Sequence, residues 1–176
     1  ALFLNGLIIR NMKRGLNINH FNKTKPYKKI YCLNIMYTHT VIHYGEIAIK
    51  GNNRPYFERV LLDNIREHLK GLKYNTLKRI SGRFILELNK DSNLEMISNK
   101  LKNIFGISYF SFAINSSQEI EDIKKNVSRL IKDDKSKTVR VLTKRSNKQF
   151  KLTSMDINKI IGEHLIKNHN LTIDLV

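Results

Sequence analysis

Between residues 39 and 114 the apolar residues switch repeatedly between the twofold repeat of a strand and the 3.6-residue repeat of a helix, and this order constrains the fold more than any other feature. Residues 39 to 44 are β-prone. From Pro55 to Leu69, Phe57, Leu61, Ile65 and Leu69 recur at helical spacing, Pro55 is tolerated in a first turn, and Gly71 marks the stop. Tyr74 to Ile80 and Arg83 to Leu88 read as two strands joined through Ser81-Gly82, with Phe84, Leu86 and Leu88 on one face. Ser92 and Glu95 form a capping-box pattern for a helix lined by Leu94, Ile97, Leu101 and Ile104, which Gly106 ends. Ile107 to Ile114 then alternates through Phe110, Phe112 and Ile114.

The resulting β-α-β-β-α-β order predicts a ferredoxin-like domain over residues 37–115. A second unit follows at 116–176. Ser116 and Glu119 are placed to cap a helix whose Ile120, Ile123, Val127, Leu130 and Ile131 face a core. A strand through Val139 and Val141 leads into a basic loop, and Thr153 or Ser154 caps a helix carrying Ile157, Ile160, Ile161 and Leu165. Leu171 to Val176 begins one more strand that the sequence does not complete, so the expectation is an α+β chain whose second, α/β domain is truncated at its C-terminus and forms part of something longer.

Residues 1–36 read differently. They contribute seven basic side chains and no acidic one, whereas 37–115 hold twelve basic against seven acidic residues and 116–176 thirteen against eight. The formal charge of +17 favours a polyanionic partner, but each folded portion nets only five positive charges, so a nucleic-acid reading must rest on clustering. Part of the excess is also what Lys-, Asn- and Ile-rich codon bias would leave. The leader is expected to be disordered or translated upstream sequence rather than a targeting peptide, because its apolar stretch Leu2 to Ile9 is interrupted by Asn5 and Ser is absent; Met36 is then a natural start. The single cysteine, Cys32, excludes an internal disulfide and a Cys-rich zinc site, which fits a reducing, cytoplasmic setting without a membrane span.

Two basic strand-to-helix junctions carry the functional expectation. The first is His43-Tyr44-Gly45-Glu46-Ile47-Ala48-Ile49-Lys50-Gly51-Asn52-Asn53-Arg54-Pro55-Tyr56-Phe57-Glu58, where Lys50 and Arg54 flank a helix start whose free N–H groups attract anions. The second is Lys144-Arg145-Ser146-Asn147-Lys148-Gln149-Phe150-Lys151, which sets Lys144, Arg145, Lys148 and Lys151 beside another helix start. Arg79 and Arg83 bracket the hairpin turn and extend a candidate basic track, although charges that protect an edge strand serve equally well there. Glu46 is expected to pair with Lys50 or Arg54 rather than to act as a catalytic carboxylate. His43 is expected to be half-buried, and Phe110 and Phe150 to be core aromatics. The six histidines lack metal-ligand spacing, so no catalytic or metal-binding residue is assigned.

The His43 to Glu58 stretch, the Ser81-Gly82-Arg83-Phe84 hairpin, the Phe105-Gly106-Ile107 junction and the Lys144 to Ile161 segment together resemble the N-terminal half of the tRNA 4-thiouridine synthase (tRNA sulfurtransferase) family. The resemblance implies a ferredoxin-like domain followed by a THUMP domain, binding tRNA at its acceptor region and presenting a uridine to a PP-loop domain. That domain would adenylate the uridine with ATP before a sulfur-donor protein delivers persulfide sulfur. No Ser-Gly-Gly-x-Asp-Ser loop occurs in this sequence, so the chain itself is expected to bind no cofactor and not to turn over ATP, while the full-length protein that the resemblance implies would be an ATP-dependent tRNA sulfurtransferase. The alternative is a THUMP-type RNA-binding adaptor for another tRNA-modifying enzyme such as a methyltransferase, and a weaker one is a protein-contact module. A homodimer is left open.

Overall fold

A computed structural model describes residues 2–4, 7–9, 37–80, 82–132, 137–143 and 151–173. Two short strands, β1 (Leu2–Leu4) and β2 (Leu7–Ile9), pair antiparallel with Leu2 opposite Ile9, and β1 also runs parallel to Ile114 and Asn115. Six residues of the leader thus sit in strands. The remainder of 1–36 lies outside the described residues.

Next come β3 (His39–Tyr44), α1 (Arg54–His68), β4 (Thr76–Ile80), β5 (Arg83–Glu87), α2 (Leu94–Lys102) and β6 (Ile107–Asn115). The chain divides into two compact units between Ala113 and Ile114. In the unit ending at Ala113, β3 pairs antiparallel with both β5 and β6, and β4 pairs antiparallel with β5, so the order across the sheet is β6-β3-β5-β4. This is the ferredoxin-like arrangement that the β-α-β-β-α-β sequence pattern predicts. The β3–β6 register shifts between His43 and Tyr44, which face Tyr109 and Ile107 respectively.

The core follows from the helical stripes. Leu61, Ile65 and Leu69 of the first helical segment and Ile97 and Leu101 of α2 pack with Ile42, Tyr44, Phe84 and Leu86 of the sheet. Each fully buried side chain of this kind contributes roughly 1.5–3 kcal/mol relative to exposure. Phe57 departs from the expected stripe: it is 37% exposed, and the buried position one residue on is occupied by Glu58. The α2 cap also differs from expectation. Asn93 is the N-cap, its side chain accepting from Met96 N at 3.0 Å, while Ser92 Oγ donates to the Lys73 carbonyl at 2.7 Å and ties the start of α2 to the loop between α1 and β4.

The other unit contains α3 (Ile120–Ile131), β7 (Thr138–Val139), α4 (Ser154–His169) and β8 (Thr172–Ile173), with β7 and β8 parallel. Ile123, Val127, Ile131, Val139, Ile157, Ile161 and Leu165 are buried, as their periodicity predicts. Thr153 caps α4 in a reciprocal box with Asp156. At α3 no side chain caps the first turn; Ser116 Oγ donates instead to Asp122 at 2.8 Å, because that carboxylate is already drawn to the Ser117 N–H. β7 is shorter than the sequence suggested, and residues 174–176 of the expected last strand lie outside the described residues.

Candidate nucleic-acid interface

The first basic junction folds as two single-turn 3₁₀ segments, Glu46–Ile49 and Gly51–Asn53, leading directly into α1. Gly51 takes φ 52°, a left-handed conformation that glycine adopts without a side-chain penalty, and this lets the chain turn from one segment into the next. Lys50 stands exposed at the bend with its Nζ 5.4 Å from the centre of the Phe57 ring, a cation–π contact that leaves the ammonium in solvent.

Arg54 and Arg79 come together on one carboxylate. Glu58, one helical turn after Arg54, is nearly sealed, its side chain only 6% exposed. Glu58 Oε1 accepts from Arg54 Nε at 2.8 Å and from the Tyr44 hydroxyl, and Oε2 accepts from Arg79 Nη1 at 2.8 Å. Arg54 Nη2 also donates to the Tyr44 oxygen at 3.2 Å. Burial pushes the Glu58 carboxyl toward a higher pKa, but the Tyr44 and Arg54 hydrogen bonds and the two guanidinium charges outweigh it and hold the group below the usual carboxylate range. Burial and the same hydrogen bond push the Tyr44 hydroxyl upward, so it remains a donor at neutral pH.

Both guanidiniums stay accessible, with side chains 39% and 52% exposed. Each presents part of its five-donor fork inward, and among the described residues no further partner takes the rest. The expected pairing of Glu46 with Lys50 or Arg54 does not form. Arg54 turns to Glu58, which shares its helix face at a spacing of four residues and is already sealed, whereas Glu46 is solvent-exposed.

Arg83 begins β5 opposite Ile80, half-buried and with its Nη1 atom sealed from solvent. In the second junction, Lys151 is exposed just ahead of the Thr153 cap, while Lys144, Arg145, Lys148 and Phe150 lie outside the described residues. His43 is half-buried and stacks on Tyr109 at 4.3 Å, and Phe110 packs against the core. Exposed apolar groups escaped the sequence reading: Ile49 is 82% and Phe105 94% exposed, and Tyr56 also projects into solvent. Among the described residues no group of three or more His, Cys, Asp or Glu is placed to hold a metal, and no helix is long and apolar enough to cross a membrane.

Comparison with known proteins adds to this geometry. The ThiI ferredoxin-like domain family matches residues 39–111, and the THUMP domain family matches residues 117–176. The chain joins a ThiI ferredoxin-like domain to a THUMP domain. A probable tRNA sulfurtransferase of Moorella thermoacetica is 41% identical over 131 residues, covering 74% of this chain and 33% of that protein. One of Bacillus subtilis is 40% identical over 144 residues, covering 79% and 35%. The chain spans about a third of the length of these curated relatives. Among solved structures, the crystal structure of a 4-thiouridine synthetase–RNA complex with bound ATP aligns with TM-score 0.60 and 29% identity over 80% of this chain and 36% of that one. PH1313 from Pyrococcus horikoshii aligns with TM-score 0.64 and 27% identity, covering 78% and 47%. The Tyr44–Arg54–Glu58–Arg79 cluster therefore belongs wholly to the ThiI ferredoxin-like domain.

Proposed function

We propose that this chain is the RNA-binding part of a tRNA 4-thiouridine synthase, holding the acceptor region of a tRNA while a separate PP-loop domain modifies the uridine. The observation that carries this reading is the pair of accessible guanidiniums, Arg54 and Arg79, fixed side by side at the start of α1. Planar forks match the oxygens of a phosphodiester, and contacts to the backbone orient a folded RNA without reading its sequence. Lys50 and the Lys144, Arg145, Lys148 and Lys151 group add cations, and the likeness to a 4-thiouridine synthetase–RNA complex supports RNA as the ligand. A ferredoxin-like domain of the ThiI type favours the synthase over an adaptor for a methyltransferase.

ATP belongs to the separate domain. All eight glycines of this chain stand singly, so its residues do not supply the run of backbone N–H groups that cradles a nucleotide's phosphates, and no chemical step is assigned to them. The sulfur-donor protein acts on that same separate part, in a cytoplasmic setting, and a homodimer is compatible with the reading.

The test is binding of a tRNA transcript followed by fluorescence anisotropy across a salt series. Affinity should fall steeply between about 50 and 200 mM salt. The Arg54→Ala/Arg79→Ala double variant should bind at least about tenfold more weakly while keeping its circular dichroism spectrum. Unchanged affinity in that variant rejects the reading.

A further inference from the structure

We infer that Glu58, itself held by Tyr44, is a positioning residue that yokes Arg54 and Arg79 into a two-pronged clamp for a single phosphodiester of the bound RNA. The inference rests on the RNA-binding reading above and deepens it.

A carboxylate beside a polyanion site is at first sight a liability. Glu58 cancels one of the two positive charges and repels the ligand, and sealing it from water carries a desolvation cost that its donors must offset. Its geometry gives a reason for its presence. Both oxygens are engaged from defined directions: Oε1 by Tyr44 and Arg54 Nε, Oε2 by Arg79 Nη1. Arg54 comes from the first turn of α1 and Arg79 from β4, and long arginine side chains on separate elements would each lose rotamer freedom on gripping a phosphate. Anchoring both to one buried group removes that loss before the ligand arrives, which is the benefit of preorganisation. Tyr44 completes the yoke from β3: its hydroxyl donates to Glu58 and accepts from Arg54 Nη2, so it fixes the plane of the Arg54 fork. The Arg54 fork packs over the turn at Gly82, where a β-carbon would stand 3.6 Å from Nη2, an ordinary contact distance.

The alternative is that Glu58 only staples α1 to the sheet. The two accounts differ in sign. Glu58→Gln makes the protein one charge more positive, so if Glu58 only staples the fold, bulk electrostatics tightens RNA binding. If it is a yoke, Gln keeps one acceptor for Tyr44 and Arg54 but turns an amide N–H₂ toward Arg79 Nη1, donor against donor, and releases that arginine.

The experiment measures tRNA affinity and its salt dependence for wild type, Glu58→Gln, Arg79→Ala and the double variant, with thermal melts as the fold control. The expected result is weaker binding by about tenfold in Glu58→Gln, a slope of log K against log salt lower by about 0.9, and a double variant no weaker than Arg79→Ala alone. Tighter or unchanged binding in Glu58→Gln, with Arg79→Ala still weakened, overturns the yoke while leaving the RNA site standing. If neither Arg79→Ala nor Arg54→Ala weakens binding, the site itself is wrong. Should Glu58→Gln fail to fold, Tyr44→Phe, Arg54→Ala and their double variant decide: losses that do not add support the yoke, and additive losses overturn it.

Discussion

The Arg54 guanidinium rests against Gly82, its Nη2 atom 3.6 Å from the point where a β-carbon on residue 82 would sit. Residue 82 takes φ 80°, so the turn between β4 and β5 needs glycine for its backbone, and the arginine packs over that turn.

Gly82→Ala should therefore act through the backbone alone. The left-handed backbone makes alanine unfavourable by about 1–2 kcal/mol, read as a lower denaturant midpoint, whereas the added methyl meets Arg54 at ordinary contact distance and should leave tRNA affinity unchanged. Gly71→Ala is the control: its φ is 83°, yet nothing lies within 4 Å of the added carbon, so stability should fall and RNA affinity should hold. An affinity loss confined to Gly82→Ala would show that strain in this turn reaches Arg54 after all.

Charge reversal of the second junction gives a separate prediction. Lys144→Glu/Arg145→Glu/Lys148→Glu should abolish measurable tRNA binding at moderate salt with the melting temperature little changed, and each lost phosphate contact should lower the salt slope by about 0.9. Retained affinity would remove these three residues from the interface.

Acid should loosen the THUMP domain through His164. Its Nε2 lies 2.8 Å from Ser128 Oγ on α3, and His169 Nε2 meets the same oxygen at 2.9 Å. Burial, the Lys124 charge and His169 push the His164 imidazole below its ordinary value of 6.5, with Glu121 opposing. The unfolded chain therefore takes up the proton first as pH falls, and the stability this neutral ring contributes is present above 6.5 and lost on descent toward the lowered folded value. His39, lowered by burial against the pull of Glu87, acts with the same sign in the ferredoxin-like domain. Melting temperatures should decline from about pH 7.5 to 5.5, and less steeply in His164→Gln. A slope identical to wild type would exclude His164 as the source.

The α2 cap offers a fourth check. Asn93→Ala should cost about 1 kcal/mol in urea melts through loss of the bond to Met96 N. A neutral result would mean that water satisfies that N–H equally well.

Much of the fold was legible because burial follows periodicity. Leu61, Ile65, Ile97, Leu101, Ile123 and Ile161 are all sealed where the helical repeat puts them. The site was harder to read. Arg54 and Arg79 were visible as cations near a turn, but their partner was not sought on the apolar stripe, where a carboxylate is normally excluded. The clue was spacing: Glu58 precedes Leu61 by three residues and Ile65 by seven, which places it on the buried face, and a buried glutamate demands donors such as the arginine four residues before it. The cap on α2 misled for a different reason. Ser92 and Asn93 are both good caps, and the choice fell to the loop at Lys73, which competes for the serine hydroxyl from a distance no local pattern encodes. The short β1–β2 pair was foreshadowed by two apolar triplets flanking Asn5-Gly6, a dipeptide that favours hairpins.

The shifted register between β3 and β6 has a last consequence. Ser108 has no counterpart on β3, so the in-and-out count of β6 skips once, and Ile107 joins Phe110 and Phe112 against the core although its number is odd and theirs are even. Deleting that one serine would leave Ile107 two residues before Phe110 and still on the core face by plain alternation, so the extra residue is absorbed as a local kink in β6 and moves none of its apolar side chains to the other side.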